Sequence, residues 1–155
     1  MPHDPIRIAD VRSWIHKAAR DLLAGDHERA ADPPILEDVV FHAQQAAEKV
    51  LKGFLAWHDH PFRKTHDLVE IGHACVEIDA SLEPVLREAA PLTEYAWKFR
   101  YPGEPEEPTA GEADDAMSKA RAVYEAILAL LRLRLPLLWA ELVPLRRASP
   151  ESGWL

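Results

Sequence analysis

Residues 41–57, FHAQQAAEKVLKGFLAW, are the stretch that decides the fold. Apolar side chains recur there three and four positions apart, which is the period of an α-helix. They form one stripe and a broad margin beside it: Val40, Ala43, Ala47, Val50, Phe54 and Trp57, then Phe41, Leu51 and Leu55. A helix that is apolar over so wide an arc needs neighbours on several sides. The stretch therefore predicts the central helix of a bundle, extending over residues 35–58.

The remaining sequence predicts further helices and no strand. Their spans are residues 6–24, 66–77, 81–99 and 111–135, with Gly25 as a helix stop, Thr65 as a cap and Pro91 as a kink. The 155 residues, of which 48% are hydrophobic, suffice for one core. We therefore predict an all-α, up-down bundle of four long helices plus a short helix. It is expected to occupy residues 1–135, followed by an apolar helical extension at residues 136–155 that packs on the bundle or on a partner.

Charge and cysteine content narrow the classes of function. A formal net charge of −8 disfavours nonspecific coating of nucleic acid. Cys75 is the single cysteine, which rules out an internal disulfide and suits a reducing cytoplasm. Without a run of about 20 apolar residues, no membrane span is expected. We predict a cytoplasmic protein with no membrane partner.

Three motifs, in this order, resemble the HEPN family: FHAQQAAEKVLKGFL at residues 41–55, KTHDL at residues 64–68 and LTEYAWKFRYP at residues 92–102. The resemblance implies a helical bundle that usually forms a homodimer. It also implies frequent pairing with a minimal nucleotidyltransferase as a two-component module. Many members of the family are metal-independent ribonucleases that act as toxins. Their active motif is an Arg followed, after four to six residues, by a His.

The sequence departs from that ribonuclease motif. Arg100 stands where the family has its Arg, but no His follows it anywhere in the chain. Arg20 and His27 have the right spacing but lie at the end of the first helix, and we attribute their spacing to chance. The ribonuclease site is therefore not carried over intact.

The candidate site residues fall into three groups. Arg100 and Tyr101 are candidates to bind a phosphate and stack on a base, or alternatively to end a helix by pairing and packing. Lys64 and His66 are candidates for charge and proton transfer near Arg100. Alternatively, Thr65 and Asp67 organise the start of the third helix and His66 packs against the second helix. The third group is a candidate to bind a nucleotide or phosphate in a cleft between helices, or alternatively forms a polar stripe at a dimer interface or a solvated face: Gln44, Gln45 and Glu48, joined by Lys52.

No metal or other cofactor is expected, because the histidines are not accompanied by a spaced set of ligands. Three functions stay open. The first is a nucleotide- or RNA-binding interaction module paired with a minimal nucleotidyltransferase, in a system of toxin–antitoxin type. The second is a ribonuclease with a non-standard site, using Arg100 as phosphate clamp and His66 as base. The third is a purely structural helical subunit. The missing His favours the first, because loss of a general base costs about 10²–10⁴-fold in rate.

Overall fold

A computed structural model describes residues 4–103 and 107–134, and within them the chain is helical with no strand. Five α-helices are joined by short turns and two 3-10 segments: α1 Pro5–Ala30, α2 Leu36–Trp57, α3 Leu68–Ile78, a 3-10 turn Ala80–Leu82, α4 Glu83–Ala89, a 3-10 segment Ala90–Ala96 and α5 Ala110–Arg134. The all-α bundle is confirmed. The predicted extension at residues 136–155 lies outside the described residues.

Helix α2 is the centre of the bundle, as its apolar arc predicts. It packs against α1, α3, α5 and the 3-10 segment Ala90–Ala96. Phe54, Leu51 and Leu55 are its largest fully buried side chains. Gly53 lets α1 approach closely, since a Cβ there would lie 3.1 Å from Trp14 Cβ. The apolar width of α2 is therefore explained by helices on several of its sides.

Helix α1, with 26 residues instead of the predicted 19, is about two turns longer than predicted. Its helical conformation continues through Gly25 to Ala30. A Cβ at Gly25 would lie only 2.7 Å from Met117 Sδ on α5. The prediction of Gly25 as a helix stop was wrong, because this glycine allows two helices to approach each other.

The start of α3 also differs from its prediction. The helix begins at Leu68, because the Asp67 side chain accepts a hydrogen bond from Val69 N at 2.9 Å and caps it. Thr65, the predicted cap, instead accepts from Asp67 N at 3.1 Å. Leu68 N donates to Thr93 Oγ1 at 3.1 Å. These bonds fix the turn that carries Lys64 and His66 against the 3-10 segment.

The long helix predicted over residues 81–99 is divided in the structure. Helix α4 ends at Ala89, because Pro91 has no N–H for a helical hydrogen bond and its ring crowds the preceding turn. The chain continues as a 3-10 segment. Phe99 then takes a positive φ of 68°, a conformation that costs a non-glycine residue about 1 kcal/mol. It ends the helical path just before Arg100.

None of the helices described within residues 4–103 and 107–134 has the length and hydropathy that a membrane-spanning helix needs.

Candidate functional site

A buried carboxylate on α2 organises the predicted third group. Glu48 is 3% exposed, and its Oε1 accepts a hydrogen bond from Lys52 Nζ at 2.7 Å. Its Oε2 accepts from Gln44 Nε2 at 2.8 Å and lies 2.9 Å from His66 Nδ1. We call Gln44, Glu48, Lys52 and His66 the Glu48 network. The structure thus joins residues that the sequence places in two separate groups.

The Glu48 network keeps its carboxylate ionised. Burial raises the pKa of the Glu48 carboxyl, but the hydrogen bonds from Lys52, Gln44 and His66 outweigh it and hold the pKa below its ordinary value. The Lys52 ammonium lies 5.8 Å from the ring centroids of both Trp14 and Phe62. Lys52 is therefore held inside the bundle, between a carboxylate and two rings, and stabilises Glu48 there.

His66 differs from its network partners because its ring reaches the surface. Its side chain is 66% exposed, whereas that of Glu48 is 5% exposed. The backbone is held as well, since Gln44 Nε2 donates to the His66 carbonyl at 3.3 Å. The imidazole is thus anchored at Nδ1 and open to solvent elsewhere. That arrangement suits a group that contacts a ligand.

Arg100 lies over the aromatic ring of Phe41 on α2. Its guanidinium carbon is 3.6 Å from the ring centroid of Phe41, while the residue as a whole is exposed. No ion pair of Arg100 occurs within residues 4–103 and 107–134. A guanidinium held in this way is oriented and keeps hydrogen-bonding edges for an anion. The alternative that Arg100 only pairs with a carboxylate finds no support in this part of the chain.

Arg100 and His66 contact residues on the same side of α2. Arg100 contacts Phe41 and His66 contacts Glu48, seven residues further along the helix. Seven residues are almost two whole turns, so the two anchors lie on one side of α2, about 10 Å apart. Tyr101 beside Arg100 is 71% exposed, and Lys64 beside His66 is also exposed. An oriented guanidinium and an imidazole thus lie on this face, with an exposed tyrosine and an exposed lysine next to them in sequence.

A second buried polar cluster, between α1 and α2, escaped the sequence analysis. Asp21, 8% exposed, accepts from Lys49 Nζ at 2.6 Å and lies 2.9 Å from His42 Nδ1. His42 Nε2 is 3.6 Å from Glu28 Oε1. We call Asp21, Glu28, His42 and Lys49 the Asp21 network. The spacing of Asp21, three positions after Ala18, places it beside the apolar stripe of α1 and could have indicated its burial.

The Asp21 network predicts a pH-dependent stability. The hydrogen bond to Asp21 raises the pKa of His42 above its ordinary value of 6.5, against the effect of burial, and Glu28 adds to the rise. A group whose pKa is raised by folding stabilises the folded state at pH values below its pKa in the unfolded chain. This stabilisation is lost as the pH rises through its pKa in the folded protein. We expect the unfolding free energy to fall by about 1–2 kcal/mol between about pH 6 and about pH 9.

Urea unfolding at several pH values checks this expectation, with His42→Gln as the comparison. The variant is expected to lose most of the difference between the two ends of the range. On the acid side, burial raises the pKa of Asp21 but hydrogen bonds from His42 and Lys49 lower it overall, so its stabilisation is lost only as pH falls below about 4. A wild-type curve as flat as that of the variant near neutral pH would contradict the assignment.

The described residues contain no cluster of side chains that suits a metal ion. Among residues 4–103 and 107–134, no three His, Cys, Asp or Glu side chains converge on a site for an ion. His58 lies against the ring of Phe54, with centroids 4.6 Å apart, and His60 Nδ1 lies 3.0 Å from the carbonyl of Pro61.

Comparison with known proteins identifies the family of this chain. No match was found among curated proteins or among solved structures. A family model described as the HEPN domain matches residues 11–130, which is most of the chain. The matched span includes all of α2, the turn that carries His66, and Arg100. The chain therefore belongs to the HEPN domain family, whose helical modules are nucleotide- or RNA-related.

Proposed function

We propose that this HEPN domain is a cytoplasmic nucleotide- or RNA-binding module that pairs with a minimal nucleotidyltransferase in a two-component system of toxin–antitoxin type. One observation carries the binding part of the proposal: the exposed Arg100 guanidinium is held over Phe41 on the same face of α2 as His66. An oriented guanidinium binds phosphate through its planar fork of donors.

The surroundings of Arg100 suit a nucleic-acid strand. Trp97 and Tyr101 are large aromatic residues near it that remain 55% and 71% exposed. Exposed aromatic rings provide stacking surfaces for bases. Because the chain carries a net charge of −8, affinity has to come from a few placed groups rather than from a general positive field. The proposed ligand is therefore a single strand or a nucleotide, bound through Arg100, Tyr101 and Lys64.

The separation along α2 favours a strand over a mononucleotide. The anchors of Arg100 and His66 lie about 10 Å apart, and one strand rises roughly 3.4 Å per nucleotide when stacked. A stacked strand of about three nucleotides has the same length as the part of α2 between Phe41 and Glu48. The Glu48 network holds the His66 ring at Nδ1 and leaves the rest of the ring accessible to a ligand.

A second candidate function is a ribonuclease with a non-standard site. The contact of His66 with the buried carboxylate of Glu48 favours it, since a carboxylate that orients an imidazole is a common support for a general base. Arg100 would then hold the phosphate. The absence of a His after Arg100 places this function second.

Fluorescence anisotropy with a labelled single-stranded RNA of about ten nucleotides distinguishes the two functions. The protein is titrated in the presence of a chelator, and the RNA is afterwards separated on a denaturing gel. Binding with intact RNA is the expected result. Cleavage that disappears in Arg100→Ala would support the ribonuclease instead, and the absence of any binding to RNA or to nucleoside triphosphate would contradict the proposal.

The proposed partnership needs its own experiment. Family membership supports both the homodimer and the pairing with a nucleotidyltransferase. The proposal requires a minimal nucleotidyltransferase encoded beside this gene. Co-expression of the two proteins, followed by light scattering, is expected to give one complex with two copies of this chain. Separate elution of the two proteins, or a neighbouring region without such a gene, would contradict the pairing.

A further inference from the structure

We infer that Glu48 is a positioning residue that fixes the protonated nitrogen of His66, so that His66 Nε2 accepts a hydrogen bond from a ribose 2′-hydroxyl. The inference rests on the proposed function and names RNA, rather than DNA, as the ligand class. His66 would then determine specificity, while Arg100 supplies affinity for phosphate. The role of Glu48 does not follow from the sequence, because His66 and Glu48 are 18 positions apart.

The other partners of Glu48 fix the direction of its hydrogen bond with His66. Glu48 already accepts from Lys52 and from Gln44, and its pKa is lowered by these bonds against the effect of burial. An ionised carboxylate has only acceptors. The atom 2.9 Å away, His66 Nδ1, must therefore donate. The buried carboxylate thus fixes the proton on Nδ1.

This hydrogen-bonded arrangement is also rigid. The Gln44 amide nitrogen donates both to Glu48 and to the His66 carbonyl. Its orientation is set by Gln45, whose Nε2 donates to Gln44 Oε1 at 2.6 Å. The ring and the backbone of His66 are thus held from the same helix. A ligand that meets this imidazole does not have to order it first.

The exposed edge of the His66 ring is a hydrogen-bond acceptor. A neutral imidazole protonated at Nδ1 carries a lone pair at Nε2 and accepts one hydrogen bond there. The His66 side chain is 66% exposed, which leaves this edge available. A ribose 2′-hydroxyl donates such a bond, and deoxyribose has no hydroxyl to do so. A site that offers an acceptor to a hydroxyl discriminates against the analogue that lacks it.

The test compares the affinity for a single-stranded RNA with that for a DNA of the same sequence. The wild-type protein is expected to bind the RNA about tenfold more tightly, which corresponds to one well-formed hydrogen bond. In His66→Ala and in Glu48→Gln this ratio is expected to fall to about one. Arg87→Ala, on α4, removes an exposed arginine outside the site and is expected to keep the ratio.

A spectroscopic measurement separates the role of Glu48 from a structural role. The ¹⁵N chemical shifts of the His66 ring report which nitrogen carries the proton. The wild-type protein is expected to show Nδ1–H, and Glu48→Gln a mixture of the two tautomers. If Glu48→Gln does not fold, Glu48→Gln combined with Lys52→Met removes the unpaired ammonium as well and serves in its place.

The outcomes distinguish this inference from the proposed function. Equal affinity of the wild-type protein for RNA and DNA would overturn the inference and leave nucleic-acid binding intact. No binding to either strand would overturn the proposed function and, with it, the role of His66 in specificity. A wild-type His66 protonated at Nε2 would overturn the role of Glu48, whatever the binding result.

Discussion

Replacing Glu48 with alanine is expected to lower the unfolding free energy by about 3–5 kcal/mol, because it leaves the Lys52 ammonium buried without its partner. Lys52 is 7% exposed and donates to Glu48 Oε1 at 2.7 Å. Gln44 also loses an acceptor inside the bundle. Since domains are stable by only about 5–15 kcal/mol, this loss approaches the whole stability. Urea unfolding followed by circular dichroism measures it.

Two variants serve as controls for this prediction. Glu48→Ala combined with Lys52→Met replaces the buried pair by apolar groups, which is often neutral, and is expected to recover about 2 kcal/mol relative to the single variant. Glu83→Ala removes a partner of Arg87 from an exposed pair and is expected to cost less than about 0.5 kcal/mol. A cost below about 1 kcal/mol for Glu48→Ala would show that Lys52 finds water or another partner, against the burial described above.

Replacing Arg100 with alanine is expected to weaken the binding of single-stranded RNA by about 10–100-fold, because it removes a charged hydrogen bond worth about 1.5–3 kcal/mol. Arg100 contacts Phe41 at the surface and lies outside the core, so the unfolding free energy should change by less than about 1 kcal/mol. The dependence of affinity on salt should also become shallower by about 0.7 in the logarithmic slope, the contribution of one phosphate contact to a single strand. Anisotropy at several salt concentrations measures both quantities.

Arg100→Lys keeps the charge but loses the planar fork and is expected to recover only part of the affinity. Arg87→Ala carries the same loss of charge on α4 and provides the matched control. Equal weakening by Arg100→Ala and Arg87→Ala would mean that net charge alone governs binding. That result would remove Arg100 from the site.

The sequence predicted the fold well where apolar spacing carries the information. The arc of α2 requires neighbours on several sides, and the structure provides them. Errors occurred where a residue has more than one structural use. Gly25 is typical of a helix end, yet its position opposite Met117 requires a small residue within a helix. Pro91 was expected to kink one continuous helix, but α4 ends at Ala89 and the chain continues as a 3-10 segment, which the sequence does not show.

The contacts among the candidate site residues follow only in part from the sequence. Glu48 and Lys52 are four apart on one helix, so their pair follows from the sequence. The contact between Glu48 and His66 depends on how the turn before α3 packs, and Asp67 and Thr93 fix that turn across the fold. Periodicity describes one helix at a time, whereas this site is formed between elements that are distant in sequence.

The most direct test of the proposed binding surface around Arg100 and His66 is to map a bound strand on the protein. Backbone ¹H–¹⁵N spectra recorded during titration with a single-stranded RNA of about ten nucleotides report which residues the strand contacts. We predict that the largest shifts occur at His66, Trp97, Arg100 and Tyr101. Shifts that concentrate on α4 around Arg87, or no shifts at saturating RNA, would contradict the account.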